Sequence, residues 1–257
     1  MLQSLAGELG ISSGGSAAEI VKRILAEGPS ETRVNRFVKQ MYLQRIEERR
    51  KLISDDELKR ELFKVKTFSW GIVQGQIDRK IQREYVRRIV RYDDLVSRVS
   101  AKLHDDITNY VICTWFNHWT TVLIEEHISA HKAAIPTLKP IKGVDIFFDG
   151  QPFDLKVTYL PRDYDPASAL KNPTDLAIWM YENQGEQRFG DDNRLFVVLF
   201  DAKNPEDSWK LKRDFNLVFD KIDAFFDRER IKEKDEIAFT FKGKSYTAVT
   251  KVLLITK

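Results

Sequence analysis

The chain has a single cysteine, Cys113, among 257 residues. One thiol excludes an internal disulfide framework and the multi-cysteine zinc sites, and it points to a reducing, cytoplasmic setting. The residues around it, Val111, Ile112, Trp115 and Phe116, are apolar, which fits a packed thiol better than a nucleophile. No stretch approaches the roughly 18 consecutive apolar residues of a membrane span, and no basic segment followed by a long apolar run opens the sequence, so neither a membrane partner nor an export signal is expected. The only glycine-rich segment, Gly14-Gly15, lacks the lysine and the preceding strand of a phosphate-binding loop. Histidine is scarce, with four in all. His127 and His131 stand four residues apart and could share a transition metal from one helix face, but no third ligand of suitable spacing follows them.

Net charge is also low, +3 overall, but it is unevenly spread. Residues 1–100 carry 20 Lys/Arg against 14 Asp/Glu, whereas residues 101–257 carry 22 against 25. A basic N-terminal part suits a polyanion and an acidic C-terminal part suits cations, although offsets of this size also occur on ordinary solvated surfaces.

The first segment reads as helix, Ser/Gly turn, helix. Ser16 is the expected N-cap, Ala17 to Leu25 is amphipathic, and Gly28-Pro29 ends the second helix. Leu-Gly-Ile-Ser-Ser-Gly-Gly followed by Ala-Glu-Ile-Val-Lys-Arg-Ile resembles the SAP motif, a DNA-binding helical hairpin, over residues 1–35. That resemblance implies Lys22 and Arg23 as nucleic-acid contacts. Residues 36–104 form a basic helical region, in keeping with the lack of proline from 31 to 100. There Arg83, Arg87 and Arg91 recur every four residues and would share a helix face, with Tyr85 and Tyr92 interleaved. Such a face can follow a phosphate backbone, or it can be a solvated surface partly neutralised by Glu84, Asp93 and Asp94.

A long apolar helix is expected from about Asp105 to His131, with Val111, Ile112, Trp115, Trp119, Val122 and Leu123 as its buried stripe. Glu126 falls inside that stripe and Glu125 toward its edge. A buried carboxylate is costly unless it is paired or binds a metal, while one at a helix end can reach water. An α/β pattern follows. It comprises a short strand near Ile135–Leu138, a hairpin, a loop over 161–171, a helix started by Asn172-Pro173, a polar loop to Asn193, and the buried strand beginning at Arg194. An amphipathic helix over about 207–230 and a terminal hairpin complete it. Trp179, Met180 and Tyr181 fit core packing. The loop Tyr181 to Asn193 is rich in amides and arginine and could read base edges, or be an ordinary solvated connection.

The hairpin "GVDIFFDGQPFDLKV", Gly143 to Val157, concentrates the chemistry. Asp149-Gly150 is a strong signal for a two-residue type I′ turn. That turn pairs Phe148 with Gln151, Phe147 with Pro152, Ile146 with Phe153 and Asp145 with Asp154. Strand alternation then puts Val144, Ile146, Phe148, Phe153, Leu155 and Val157 on one face and Asp145, Asp154 and Lys156 on the other. Like charges directly opposite destabilise a ladder, and a divalent cation offsets that repulsion. Two carboxylates suit Mg²⁺, which keeps several waters and accepts a phosphate oxygen. Lys156 could orient a water or neutralise transition-state charge.

Gly-Val-Asp at 143–145 followed by Asp-Leu-Lys at 154–156 on adjacent strands resembles the PD-(D/E)xK nuclease superfamily, and the helix, strands, helix, strand order of residues 105–200 is similar. Gly-Val stands where the family name has proline. The resemblance implies a restriction-endonuclease-like α/β fold over 105–257, a mixed sheet flanked by helices, with an all-α region before it. It further implies an Mg²⁺-dependent endonuclease, of restriction or phage-defence type, cutting double-stranded DNA and commonly acting as a homodimer. Asp145 and Asp154 would bind the metal, Lys156 would serve catalysis, and Glu126, or failing that Glu125, would supply the carboxylate that many members add from the preceding helix. The alternatives are the same fold acting on junctions, repair intermediates or RNA, and a non-catalytic nucleic-acid-binding protein.

Overall fold

The computed structural model describes residues 2–68, 76–183 and 192–257. Helices α1 (Leu2–Glu8) and α2 (Ala17–Glu27) form the expected hairpin around Ala6, Leu9, Ile20 and Ile24. The turn between them is fixed by reciprocal bonds. The Ser16 hydroxyl accepts the Glu19 N–H at 3.3 Å, and the Glu19 carboxylate accepts the Ser16 N–H at 2.7 Å. Gly28, at φ 59°, ends α2 in the left-handed conformation that glycine adopts without strain.

Helices α3 (Glu31–Arg50) and α4 (Asp55–Phe63) pack directly on the sheet-bearing part of the chain. Arg45 donates to the Leu138 carbonyl at 3.0 Å, and Lys39 reaches the His131 carbonyl. Leu58, Leu62 and Val65 share a core with Phe116, Leu123, Trp209 and Phe215. A boundary at residue 104 therefore passes through common packing. The basic segment is not one helix. After α5 (Gln76–Lys80) the chain makes a widened turn over Ile81–Val86, in which the Arg87 N–H bonds the Gln82 carbonyl at 3.0 Å, and then leaves the helix. Arg91 is extended, at φ −90° and ψ 132°, and precedes a new helix, α6 (Tyr92–Arg98). Arg83, Arg87 and Arg91 consequently do not form the single helical face that their spacing suggested.

Helix α7 (His104–Ala130) has the expected extent but a different buried side. Cys113, Phe116, Thr120, Leu123, Ile124 and Ile128 face inward, whereas Val111, Ile112 and Trp115 are 56%, 41% and 37% exposed. Apolar residues surround this helix, so periodicity does not select the face; packing against the sheet and α4 does.

The six-stranded mixed sheet has the order β1-β2-β3-β4-β6-β5. Its strands are β1 (Ala134–Ile141), β2 (Val144–Phe148), β3 (Gln151–Tyr159), β4 (Arg194–Phe200), β5 (Glu236–Phe241) and β6 (Lys244–Thr256). β1, β2 and β3 are antiparallel neighbours, β3, β4 and β6 run parallel, and β5 closes the far edge antiparallel to β6. β4 is buried at all seven positions, as a central strand covered on both faces must be. One face carries Phe153, Leu155, Val197 and Ile255 against α7 and α11 (Phe215–Arg228), and the other carries Phe196 and Val198 against α9 (Pro173–Asn183). The fold is thus α/β with helices on both sides of the sheet and a helical region at the N-terminus, as the pattern of elements predicts.

Two local differences bear on the site. The expected loop 161–171 contains the short helix α8 (Pro166–Lys171), with Asp165 capping the Ser168 N–H at 2.7 Å. The expected helix 207–230 is broken into α10 (Ser208–Leu211) and α11, and Lys212 lies at the break. The amide-rich loop from Tyr181 falls largely on residues 184–191, outside the described residues. Among the described residues no helix is long and apolar enough to cross a membrane.

Candidate active site

Asp149 and Gly150 both have positive φ, 49° and 78°, the backbone of a type I′ turn. The β2–β3 ladder then runs Phe148–Gln151, Phe147–Pro152, Ile146–Phe153. Ile146, Phe148, Phe153 and Leu155 are buried, so the apolar face of the hairpin sits on the core and the register is held. The Asp149 carboxylate also accepts the Ile231 N–H at 2.9 Å, which ties the turn to the chain leaving α11.

The ladder with β2 ends at Ile146–Phe153; Asp145 and Asp154 are the next residues on the two strands, and there the strands part. From Asp154 onward β3 pairs in parallel with β4, beginning with Asp154–Arg194, and the Asp154 N–H bonds the Asn193 carbonyl at 2.9 Å. The Leu155 N–H is taken by a side chain, the Oδ2 of Asp145, at 2.8 Å. That bond satisfies a donor released by the parting strands and fixes the Asp145 carboxylate in the fork. Asp154 is steadied from the other side, where its Oδ2 accepts from Arg194 Nε at 3.0 Å. Arg194 is buried, and its guanidinium lies 5.2 Å from the Tyr181 ring centroid.

Charges crowd at this fork. Asp145 opens to solvent on one side, yet the surrounding protein raises its pKa above the ordinary carboxylate value; Asp154 adds to the rise, and the Leu155 N–H and Lys156 oppose it. Glu125, reaching in from α7, is pushed up to about 7, first by burial, then by the charges of Asp145 and Asp154, against Lys212 and Lys156. Lys212 is pulled down to about 7 by burial, with Glu125 resisting. Glu125, Asp145, Asp154, Lys156 and Lys212 therefore share one electrostatic neighbourhood, in which Glu125 and Asp145 hold their protons more firmly than they would in water.

The structure turns Glu126 away from this cluster. Its Oε1 accepts from Arg49 Nε at 3.1 Å, its Oε2 pairs with the same guanidinium, and Arg49 also binds Asp55 at 2.6 Å. Successive helical residues diverge by about 100°, so with Glu126 facing α3 its neighbour Glu125 faces the sheet. Of the two adjacent glutamates, Glu125 is thus the one that shares the electrostatic neighbourhood of the fork.

The basic residues singled out in the sequence lie elsewhere. Lys22 is exposed on α2, and Arg23 bonds the Gly14 carbonyl. Arg83 pairs with Glu84 at 2.9 Å, and Arg87 and Arg91 are exposed. Among the described residues no ion pair joins any of the five to the fork. His127 is stacked on Phe219 at 3.9 Å and bonds Asp223 at 2.9 Å, while His131 lies 3.6 Å from Asp227, so both histidines hold α7 to α11.

Two contributors were missed in the sequence. Arg194 had a signal, a cation opening an otherwise apolar strand that runs beside Asp154. Lys212 had none, because its burial depends on the break between α10 and α11.

Among the described residues no group of three or more His, Cys, Asp or Glu side chains is gathered closely enough to hold a metal ion. A pair of carboxylates is still the donor set of Mg²⁺, which keeps most of its waters and takes one or two protein oxygens. The pKa values of Asp145 and Glu125 are raised first by burial and further by neighbouring carboxylates, and a divalent cation placed between them would favour their charged forms. Comparison with protein-family models, with curated proteins and with solved structures finds no match for this chain.

Proposed function

We propose that the protein is a cytoplasmic Mg²⁺-dependent endonuclease that hydrolyses phosphodiester bonds of double-stranded DNA, acting in restriction or phage defence and as a homodimer. The observation that supports this best is the electrostatic coupling of Glu125, Asp145 and Asp154 with Lys156 where β2 and β3 part, with Asp145 fixed by the Leu155 N–H and Asp154 by Arg194. Asp145 and Asp154 would hold the metal. Bound there, Mg²⁺ would supply Lewis acidity, activating water and offsetting charge on the phosphoryl oxygens.

The protein groups have separate tasks. Asp145 is held by the Leu155 N–H and Asp154 by Arg194, so neither carboxylate has to be ordered when substrate arrives. Lys156, two residues beyond Asp154 on the same side of β3, offers a cation to the attacked phosphate or to the water that attacks it in line. Glu125, with its pKa near 7, can accept the proton that this water loses. The new P–O bond forms as the bond to the leaving sugar oxygen breaks, and that oxygen takes a proton from solvent.

A second reading, a non-catalytic nucleic-acid-binding protein, is favoured by the Arg194–Asp154 ion pair, which already neutralises one carboxylate. Long unmethylated duplex DNA incubated with Mg²⁺ separates the two. Discrete fragments indicate a restriction enzyme, a smear indicates a nonspecific nuclease, and intact DNA that is nonetheless retarded in a gel supports the binding protein.

A further inference from the structure

Where the chain leaves the widened turn over Ile81–Val86, it builds a basic trough. The cavity, about 830 Å³, lies between the connection from Arg88 to Arg91 and one face of α6 with the turn that follows it, Val99–Leu103. Arg88 and Arg91 stand on the first wall, Arg98 and Lys102 on the second, and Asp94 is the single carboxylate in the lining. Asp94, Arg98 and Lys102 recur at four-residue spacing and share a face, while Ser97 and Ala101 beside them are small enough to leave the space open.

Positive charge is gathered here without neutralisation. Among the described residues the side chains of Arg88, Arg91, Arg98 and Lys102 take part in no hydrogen bond or ion pair, and neither does that of Asp94. Cations just before them in the chain are engaged: Lys80 pairs with Asp106, and Arg83 with Glu84 at 2.9 Å. Core packing does not account for the trough either, since all four cations are exposed and Val90, at the bend, is 96% exposed. Four cations in one concavity repel one another, and an anion bearing several charges relieves that repulsion. A cavity this wide leaves most of the four out of hydrogen-bond reach of any single phosphate group, whereas successive phosphates of a backbone can engage both walls.

We propose that this trough holds the phosphate backbone of duplex DNA outside the fork, with Arg88, Arg91, Arg98 and Lys102 as its contacts. The choice of duplex DNA rests on the endonuclease reading. Lys102 precedes α7, and Glu125 lies near the far end of that helix, about 35 Å along the axis at 1.5 Å per residue. The trough therefore positions substrate, without reading its sequence, and takes no part in the chemistry.

Binding of a labelled DNA duplex to the full chain without Mg²⁺, followed by fluorescence anisotropy over a range of salt concentrations, tests this. Arg88→Gln combined with Arg98→Gln should weaken binding at least about tenfold near 0.1 M salt and lower the salt slope by about 2, one counterion-releasing contact for each cation lost. Arg88→Lys combined with Arg98→Lys keeps both charges and should stay within about threefold of the wild type. Lys51→Gln combined with Lys64→Gln removes two cations that surface ion pairs already hold, and should change the slope by less than about half a unit. All these side chains are exposed, so none of the substitutions disturbs the core. Unchanged binding by the glutamine variant of the trough, or an equal loss in the Lys51 and Lys64 control, would overturn the proposal. Displacement of the duplex by inorganic phosphate at matched ionic strength would mark a small-anion site and overturn it too. Cleavage with Mg²⁺ separates the trough from the fork. A wild type that binds duplex through the trough but does not cut it leaves the trough standing without the endonuclease, and cutting with unaltered affinity in the trough variant does the reverse. A wild type that binds no duplex overturns both.

Discussion

The Asp145 carboxylate accepts the backbone N–H of Leu155 across the strand pair at 2.8 Å, at the point where β3 leaves β2 for β4. One side chain thus closes a gap in the sheet and presents its second oxygen to the fork. Asp145→Ala leaves the Leu155 N–H without its acceptor and should cost about 1–3 kcal/mol in urea unfolding. Asp145→Asn keeps an acceptor and should cost well under half of that, yet both variants should lose Mg²⁺-dependent cleavage. Equal stability of the two would mean that the bond to Leu155 contributes nothing.

Asp154 and Lys156 differ in the same way. Asp154→Ala removes a carboxylate that the buried Arg194 binds, and breaking a buried ion pair costs about 3 kcal/mol or more. Asp154→Asn, which preserves shape and an acceptor, is therefore the cleaner probe of chemistry. Lys156 takes part in none of the ion pairs among the described residues, so Lys156→Ala should melt close to the wild type while cleavage drops at least about 100-fold. Cleavage that survives both Asp154→Asn and Lys156→Ala would exclude the fork as the catalytic site.

Adjacent glutamates on α7 should behave oppositely. Glu126→Gln removes one of the two carboxylates that Arg49 binds, the arginine side chain being only 12% exposed, and should lower stability by about 1–3 kcal/mol with cleavage within about threefold of normal. Glu125→Gln should fold at least as well as the wild type at neutral pH and lose most cleavage. Measuring unfolding and turnover on both variants checks the assignment, and a reversed pattern would return the role to Glu126.

What could be read in advance divides along physical lines. The Asp149-Gly150 turn was legible because two left-handed residues in a row admit few others, and it carried the register with it as far as Ile146–Phe153, where the expected Asp145–Asp154 pair gives way to the pairing of β3 with β4. The α/β order was legible because β4 is apolar at six of its seven positions and buried at all of them. The choice between Glu125 and Glu126 was not, since α7 is apolar all round and only the position of α3, with Arg49, decides which carboxylate turns to the sheet. Arg83, Arg87 and Arg91 kept a helical spacing through a segment that is not one helix. Lys212 depended on a helix break that the amphipathic pattern runs straight across.

Gly143, in the turn before β2, is constrained twice. Its φ is +73°, and a Cβ there would lie 2.6 Å from the Asp192 carboxylate. Gly143→Ala should therefore cost about 2–4 kcal/mol, combining roughly 1–2 kcal/mol of left-handed backbone strain with the overlap. Adding Asp192→Ala should recover the overlap but not the strain, a coupling of about 1–2 kcal/mol in a double-mutant cycle. Independent, additive effects would show that the two residues do not touch.

Glu125 and Lys212 give stability an unusual dependence on pH. Glu125 stands at about 7, above its ordinary 4.5, so between those values the folded state holds a proton that the unfolded chain releases. Its contribution is complete below about pH 4.5 and is lost as pH rises to about 7. Lys212 stands at about 7, below its ordinary 10.5, so across that higher window the unfolded chain holds the extra proton and stability climbs with pH. The two limbs meet near neutrality and together place a stability minimum there. His131, whose pKa burial lowers, works against the acid limb, so the groups are separated by difference from the wild type. Urea unfolding from pH 5 to pH 9 should show that Glu125→Gln removes the falling limb and Lys212→Met the rising one. Lys212→Met should also carry the falling limb to higher pH, because Lys212 is the cation that restrains the Glu125 pKa most. Profiles of both variants running parallel to the wild type would mean that neither group is held as the fold describes.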